Sequence, residues 1–286
     1  MNVADNSEKK VRIMQVERKR SRASRRIALR TVYPIIMTVV TYLPIIVVMV
    51  YSFNESKLSS EWTGLSLRWY RELFRDESIL DALVNSIFLG VTSSVLAAVI
   101  ATCAALGMER SHLPLKRWVE KLALLPLIIP EIVLGMIFLA FFSLLGLPFG
   151  MLTLVIAHTA FCIPYVYTEV TACLEGLDHS VIEAARDLGA GRVAAFFTVT
   201  LPMISPAVLS GMFMAFAMSF DDVIISIFVT GVSVNTLPIK VYTQIKTGLS
   251  PKINALCTLM LLASLLCLSI SALLKAAEPT GRHRRS

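Results

Sequence analysis

The sequence predicts an all-α integral membrane protein, and three observations lead there. Hydrophobic residues make up 56% of the chain and charged residues only 16%, with a mean hydropathy of +0.70. A soluble domain of that composition would expose too much apolar surface to stay dispersed. Six apolar runs are each long enough to cross roughly 30 Å of hydrocarbon, which takes about 20 helical residues. The runs are continuous where barrel strands would alternate, so the spans are helices. The charges gather at the ends of the chain and in particular loops, so the net charge of +7 is that of a membrane protein and not of a nucleic-acid binder.

In order, residues 1–30 form a basic tail, KKVRIMQVERKRSRASRRIALR at its heart, too long in its basic part for a cleaved signal peptide. Such a run serves either as a topology anchor or as a polybasic arm for anionic lipid. The spans fall near 31–53, 83–106, 120–145, 149–173, 203–230 and 254–274, within one transmembrane domain of residues 31–275. A short basic tail, 276–286, closes the chain. Prolines at 34, 44, 126, 130, 164 and 206 lie in or beside the spans, where neighbouring helices satisfy the freed backbone groups. Between the first two spans, Trp62 and Trp69 suit a membrane interface, and Leu67–Phe74 has a helical pattern. Five cysteines in or beside apolar runs show no ligand spacing and read as small packing residues.

Basic residues orient the spans. Seven of the 27 Lys and Arg (Lys57, Arg68, Arg71, Arg75, Lys240, Lys246, Lys252) fall on one side, and the other 20 fall in the tails, the 110–121 segment and the 174–200 loop. The richer side is cytoplasmic, which places both termini and the 174–202 loop inside.

That loop is the long polar interruption in the second half, DHSVIEAARDLGAGRVAAFFTVTLP. Ser180 and Glu183 form a capping box that predicts a short helix from about Val181. Gly189 and Gly191 end it, a second short helix follows, and Pro202 suits the first turn of the next span. Val181, Ala184, Ala185 and Leu188 give the first helix a smooth apolar stripe. Such a helix either lies on the membrane surface or docks into a partner's groove.

No phosphate loop, H-E-x-x-H site or G-x-S-x-G elbow occurs, so the sequence offers no ATP site, metal site, cofactor site or catalytic set of its own. The four histidines are scattered. His158, inside the fourth span, is either a ligand or proton-relay group or a packed, hydrogen-bonded side chain. Glu131, Glu169, Asp221 and Asp222 are the acids of the spans. An Asp at a helix centre costs about 2.5–3.5 kcal/mol on insertion scales, which an interior partner or a watery cavity must offset. Glu131 follows Pro130, where a break exposes backbone; Glu169, near the cytoplasmic end, suits a buried pair.

Glu183-Ala184-Ala185, then Gly189, then Val199-x-Leu201-Pro202 resembles the EAA loop of ABC importer permeases, with Val199 in place of the usual Ile. The likeness extends through Ser52-Phe53-Asn54, Trp69-Tyr70, Asn85-Ser86, Pro130-Glu131-Ile132-Val133, His158 with Phe161-Cys162-x-Pro164, and most strongly Phe220–Leu256. Over nearly the whole chain after about residue 35 the sequence is similar to the spermidine/putrescine branch. The resemblance implies a type I importer-like bundle of six transmembrane helices in a bacterial inner membrane. It implies a transport subunit, not an enzyme, that works with a homologous second permease, a dimer of ABC ATPases that hydrolyse the ATP, and an extracytoplasmic substrate-binding protein. Glu183, Ala184, Ala185, Gly189, Leu201 and Pro202 would then form the coupling loop to the ATPase. Asp221, Asp222, Glu131 and the neighbouring Phe220 would line the path of a multiply charged cation. Asp221 and Asp222, about 20 residues past Pro202, are expected in the outer half of the membrane at about 1.5 Å per residue. The competing reading of the pair is a cap on a helix break or a tie to a basic residue of the partner. Alternatives for the whole chain are a permease for an iron complex, an opine or a phosphonate, and a secondary transporter.

Overall fold

The computed structural model describes residues 32–56, 61–109, 116–232, 234–247 and 251–276, apart from the side chains of Arg117 and His179. The basic tail 1–30, the C-terminal tail beyond Ala276 and the loop charges Lys57 and Arg110 lie outside these residues. Among the described residues the fold is helical, with one isolated bridge between Asn54 and Leu65.

Five helices are long and apolar enough to cross a membrane. These are α1 (Val32–Tyr51), α3 (Glu77–Glu109), α7 (Met151–Glu175), the continuous stretch Arg192–Asp221, and α13 (Pro251–Ala276). The first, second, fourth and sixth expected spans thus appear as single helices with ends shifted by a few residues. At about 1.5 Å per residue α3 is about 50 Å long and outreaches the hydrocarbon layer at its ends.

The expected span 120–145 is not one helix. It is broken into α4 (Lys116–Ala123), α5 (Leu125–Ile128) and α6 (Glu131–Leu144). Ile129 and Pro130 are both extended, with ψ of 131° and 133°. Proline supplies no N–H and forces the residue before it out of the helical region, so the chain stops at Ile129 and restarts at Glu131. The expected span 203–230 is also divided. The helix starts far earlier, at α9 (Arg192–Ala195), runs through a π-helical turn at Phe196–Thr200 into α10 (Leu201–Asp221), and stops. Asp222 is extended, and a six-residue helix, α11 (Ile224–Val229), carries on. The second short loop helix is therefore the lower end of α10 and not a separate element. The wide π turn lies just ahead of Pro202, where a proline ring and its missing N–H disturb regular i→i−4 bonding.

Helices α3, α7, α10 and α13 form the bundle. The buried face of α3 is nearly all small, with Ser86, Gly90, Ser93, Ser94, Ala97, Ala98, Ala101 and Ala105. Small side chains let helix backbones approach closely where lipid removes the hydrophobic drive for association. Helix α11 packs on α6, and α12 (Leu237–Thr247) packs on α3 and α13. None of the apolar window of α1 is buried in this chain.

At one end of the bundle α2 (Arg68–Leu73) is anchored by buried Trp69, whose Nε1 donates to Asn54 O at 2.7 Å. Trp69 is thus a packing residue, while Trp62 stays half-exposed, edge-on to Tyr51. Lys252 is paired with Asp76, Lys240 Nζ donates to Ser78 Oγ at 2.6 Å, and Leu237 N donates to Ser86 Oγ at 2.7 Å. These contacts tie the start of α12 and α13 to the start of α3. At the other end Lys275 meets Glu169 at 2.7 Å, so Glu169 is paired as its position suggested, but in a pair open to the surface and not a buried one, the Lys275 side chain being 55% exposed.

Candidate functional site

Two places carry the expected site residues. The first is the loop between α7 and α10. Its helix, α8 (His179–Asp187), begins two residues earlier than the capping box predicts. The cap is Asp178, whose carboxylate accepts from Ser180 N at 3.0 Å. A carboxylate at that position satisfies a free N–H and meets the positive end of the helix dipole. Gly189 ends α8 with a φ of +92°, while Gly191 has an ordinary φ of −61°, so the left-handed step belongs to Gly189 alone. Gly189 N donates to Arg186 O at 2.9 Å and Ala190 N to Ala185 O at 3.1 Å. This paired closure is the Schellman pattern, which uses the carbonyls a helix end leaves free.

Glu183 and Ala184 are exposed on α8, Ala185 is half-buried, and Leu201 and Pro202 begin α10. Val181, Leu188, Val193 and Phe197 are exposed as well, Leu188 at 90%. A hollow of about 530 Å³ lies beside α8, lined by Glu183, Arg186, Arg192, Thr200 and Glu109. The loop therefore presents apolar side chains and charges of both signs together.

The second place is the pair of interrupted helices. Glu131 is the first residue of α6, and Asp222 caps α11 by accepting from Ile225 N at 3.3 Å and Ser226 N at 2.9 Å. Since α11 lies along α6, two half-helices begin side by side with an acid at each start. Glu131 is exposed and within electrostatic reach of buried Asp222. The two helices touch closely at Gly135, where an added Cβ would stand 2.5 Å from the Phe228 ring. Discontinuous helices inside a bundle are a recurrent way to bring charge and free backbone to a transport path.

Adjacent Asp221 points elsewhere. It accepts from Ser264 Oγ at 2.6 Å and opens on a groove of about 420 Å³ between α12 and α13, walled by Val241, Tyr242, Met260 and Leu265. Ser264 is midway along α13. Phe220 is buried, stacked on Phe216 at 5.6 Å, and belongs to the cluster with Trp69 and Leu73. The structure thus brings Glu131 and Asp222 together, turns Asp221 to a separate groove, and puts Phe220 in the packing behind. Sequence reasoning gave no role to Ser219, Ser226 and Ser264, the hydroxyls that meet the intramembrane charged groups and His158. Their one signal was position, within a turn or two of Asp221 and Asp222 or on a facing span.

This architecture, interrupted helices in a membrane bundle with a short capped helix in the long loop, is that of a transporter's membrane subunit. Residues 90–282 match the family model of the binding-protein-dependent transport system inner membrane component, more than half of the chain, and the chain belongs to that family. It is 34% identical over 249 residues to the spermidine/putrescine transport system permease protein PotC of Haemophilus influenzae, covering 87% of this chain and 97% of that one. Identity is 36% to PotC of Escherichia coli K12, over 84% of this chain and 91% of that one. It is 39% to the putrescine transport system permease protein PotI of the same strain, over 77% and 81%. Among solved structures, a bacterial ABC transporter that imports the acidic polysaccharide alginate matches with a TM-score of 0.69 at 13% identity, over 92% of this chain and 98% of that one. The inward-facing MetNI methionine ABC transporter matches with 0.59 at 18%, over 74% and 99%. At these identities the structural likeness establishes the fold, that of ABC importer permeases.

Proposed function

We propose that this chain is the polyamine-conducting permease subunit of an ATP-driven importer. The observation that carries the reading is the pair of half-helices, α6 and α11, that pack on each other and open on exposed Glu131 and buried Asp222. The names of the relatives, which cover most of their own length, supply the substrate class. A polyamine carries ammonium groups along an apolar stem. Glu131 and Asp221 offer accessible carboxylates, and the groove beyond Asp221 offers apolar walls and the Tyr242 ring. Asp222 acts from behind as a fixed negative cap, and Phe220 supports the break from the core.

The partners follow from the same reading. The exposed stripe of α8, with Glu183 beside it, is a docking surface for an ATPase subunit, and Gly189, Leu201 and Pro202 shape the turn that carries its motion to α10. A dimer of such ATPases, an extracytoplasmic binding protein and a second permease complete the assembly. The bare α1 is suited to cover by lipid or by that second permease. Both termini and the α8 loop lie in the cytoplasm of a bacterial inner membrane.

Uptake of labelled spermidine and putrescine in cells that express the complete transporter tests the proposal. Asp221→Asn and Glu131→Gln should each lower uptake while assembly and basal ATP hydrolysis persist. Asp222→Asn keeps a good capping side chain and removes the charge, so it separates charge from capping. Normal uptake in all three variants, or no amine uptake by the unaltered complex, would overturn the polyamine path.

A further inference from the structure

His158 is a fully buried imidazole in the first third of α7 with both ring nitrogens engaged. Nδ1 lies 2.8 Å from Ser219 Oγ, in the last turn of α10, and Nε2 lies 3.0 Å from Ser226 Oγ, in the first turn of α11. Asp222 Oδ2 is 3.5 Å from Nε2. The ring therefore bridges the break between the two helices. A neutral imidazole has one donor and one acceptor nitrogen, and a hydroxyl can rotate to meet either, so both tautomers leave the ring satisfied.

Helix α11 has six residues, too few to be stable alone. Asp222 satisfies two of its N–H groups but leaves its direction open. Direction is set from α7, by His158 at the start of α11 and by Thr153, whose Oγ1 donates to Val229 O at 2.8 Å, at its end. Helix α6 packs on α11 through Phe228 and Gly135, and Glu131 is the first residue of α6. A tilt of α11 about the break would thus move one acid relative to the other.

We infer that His158 is a positioning residue for the transport path: by holding α11 in line with α10 it sets the separation of Glu131 and Asp222, and thereby which amine length passes best. The inference rests on the polyamine reading for its substrate and on geometry alone for the clamp. A residue that only stabilised the fold would lower transport of every amine in the same proportion. A residue that sets a spacing changes the ratio between a diamine and a triamine.

The test uses the complete transporter with His158→Leu, His158→Gln, Ser219→Ala and Ser226→Ala. Initial uptake of spermidine and putrescine is measured separately, together with assembly and ATP hydrolysis. His158→Leu, which removes both hydrogen bonds of the ring, should lower the maximal spermidine rate about tenfold or more. It should also change the spermidine-to-putrescine ratio, with the half-saturating concentration unaltered. Each serine variant should change the ratio in the same direction, and His158→Gln, which keeps a donor and an acceptor, should recover part of the loss. If His158→Leu fails to assemble, the serine variants decide: an unchanged ratio in both overturns the inference. A second measurement needs no substrate. Spin labels at Ile227 on α11 and Leu262 on α13, in a background without other cysteines, should give one narrow distance that broadens or shifts in Ser226→Ala. An unchanged distribution there overturns the clamp. If the unaltered complex imports neither amine while the label distance shifts, the polyamine reading fails and the clamp stands.

Discussion

Gly189→Val is the most direct probe of the coupling loop, because its effect is purely conformational. Gly189 sits at φ +92°, and a Cβ added there meets no atom within 4 Å. The Cβ meets nothing and no packing is lost; the conformational cost is that of placing an L-residue in left-handed backbone, about 1–2 kcal/mol. For a β-branched side chain that conformation is an outlier. A cost of that size lowers the population of the native turn about 5- to 30-fold relative to alternatives. The turn closes α8 through Gly189 N to Arg186 O and Ala190 N to Ala185 O, so both bonds are at risk. The packing of α3, α7, α10 and α13 on one another does not involve Gly189 and is spared. The expected order of uptake is glycine, then asparagine, which tolerates φ > 0, then alanine, then valine. Membrane insertion and association with the second permease should not change. ATP hydrolysis by the complex in liposomes, with and without the binding protein, reads the coupling, and in Gly189→Val it should lose its dependence on uptake. Wild-type uptake by Gly189→Val would refute the reasoning, and so would an asparagine variant as damaged as the valine one.

Two further predictions concern the ends of the bundle. The Lys252 ammonium, through its hydrogen bond and charge, holds the Asp76 carboxyl below its ordinary value of 3.8 against the opposing effect of burial. A lowered folded-state pKa adds stability above the unfolded value, and that stability is lost as pH falls through the folded value. Asp76→Asn should therefore lower the melting temperature of the purified complex at about pH 6, with the difference from the unaltered complex shrinking toward about pH 3; a difference independent of pH would contradict this. A topology reporter fused after Lys275 should be cytoplasmic and one inserted near Ser59 extracytoplasmic. Labelling of the loop at Gly189 from outside the cell would reverse the orientation drawn from the 20 basic residues on one side and seven on the other.

Much of this protein is determined by local sequence, because hydropathy and backbone restriction act over short distances. The four unbroken spans that match one apolar run each (α1, α3, α7, α13) are legible from length and composition alone. The left-handed end of α8 is legible in Gly189, and a partner for Glu169 in its place near the end of its span. The break before α6 was legible in Pro130, although a window average runs across it and suggests one span. The cap of α8 was misassigned because Asp178 and Ser180 are both good capping residues, and only the backbone path decides which one is extended. The start of α10 was missed because a π turn leaves no sequence mark that proline would not also leave.

The tertiary structure alone decided what the intramembrane acids face. Sequence places Asp221 and Asp222 as neighbours about 100° apart on a helix. A cap on a helix break is one of the readings the sequence offers for the pair, but only the packed structure decides that the stop falls at Asp222, which caps α11, and leaves Asp221 beside Ser264 on α13. Nor does the sequence contain the meeting of His158 with Ser219 and Ser226, which lie 61 and 68 residues away. A hydroxyl or imidazole in a span has no preferred partner until packed helices remove water and leave one geometry in which each buried polar group is satisfied.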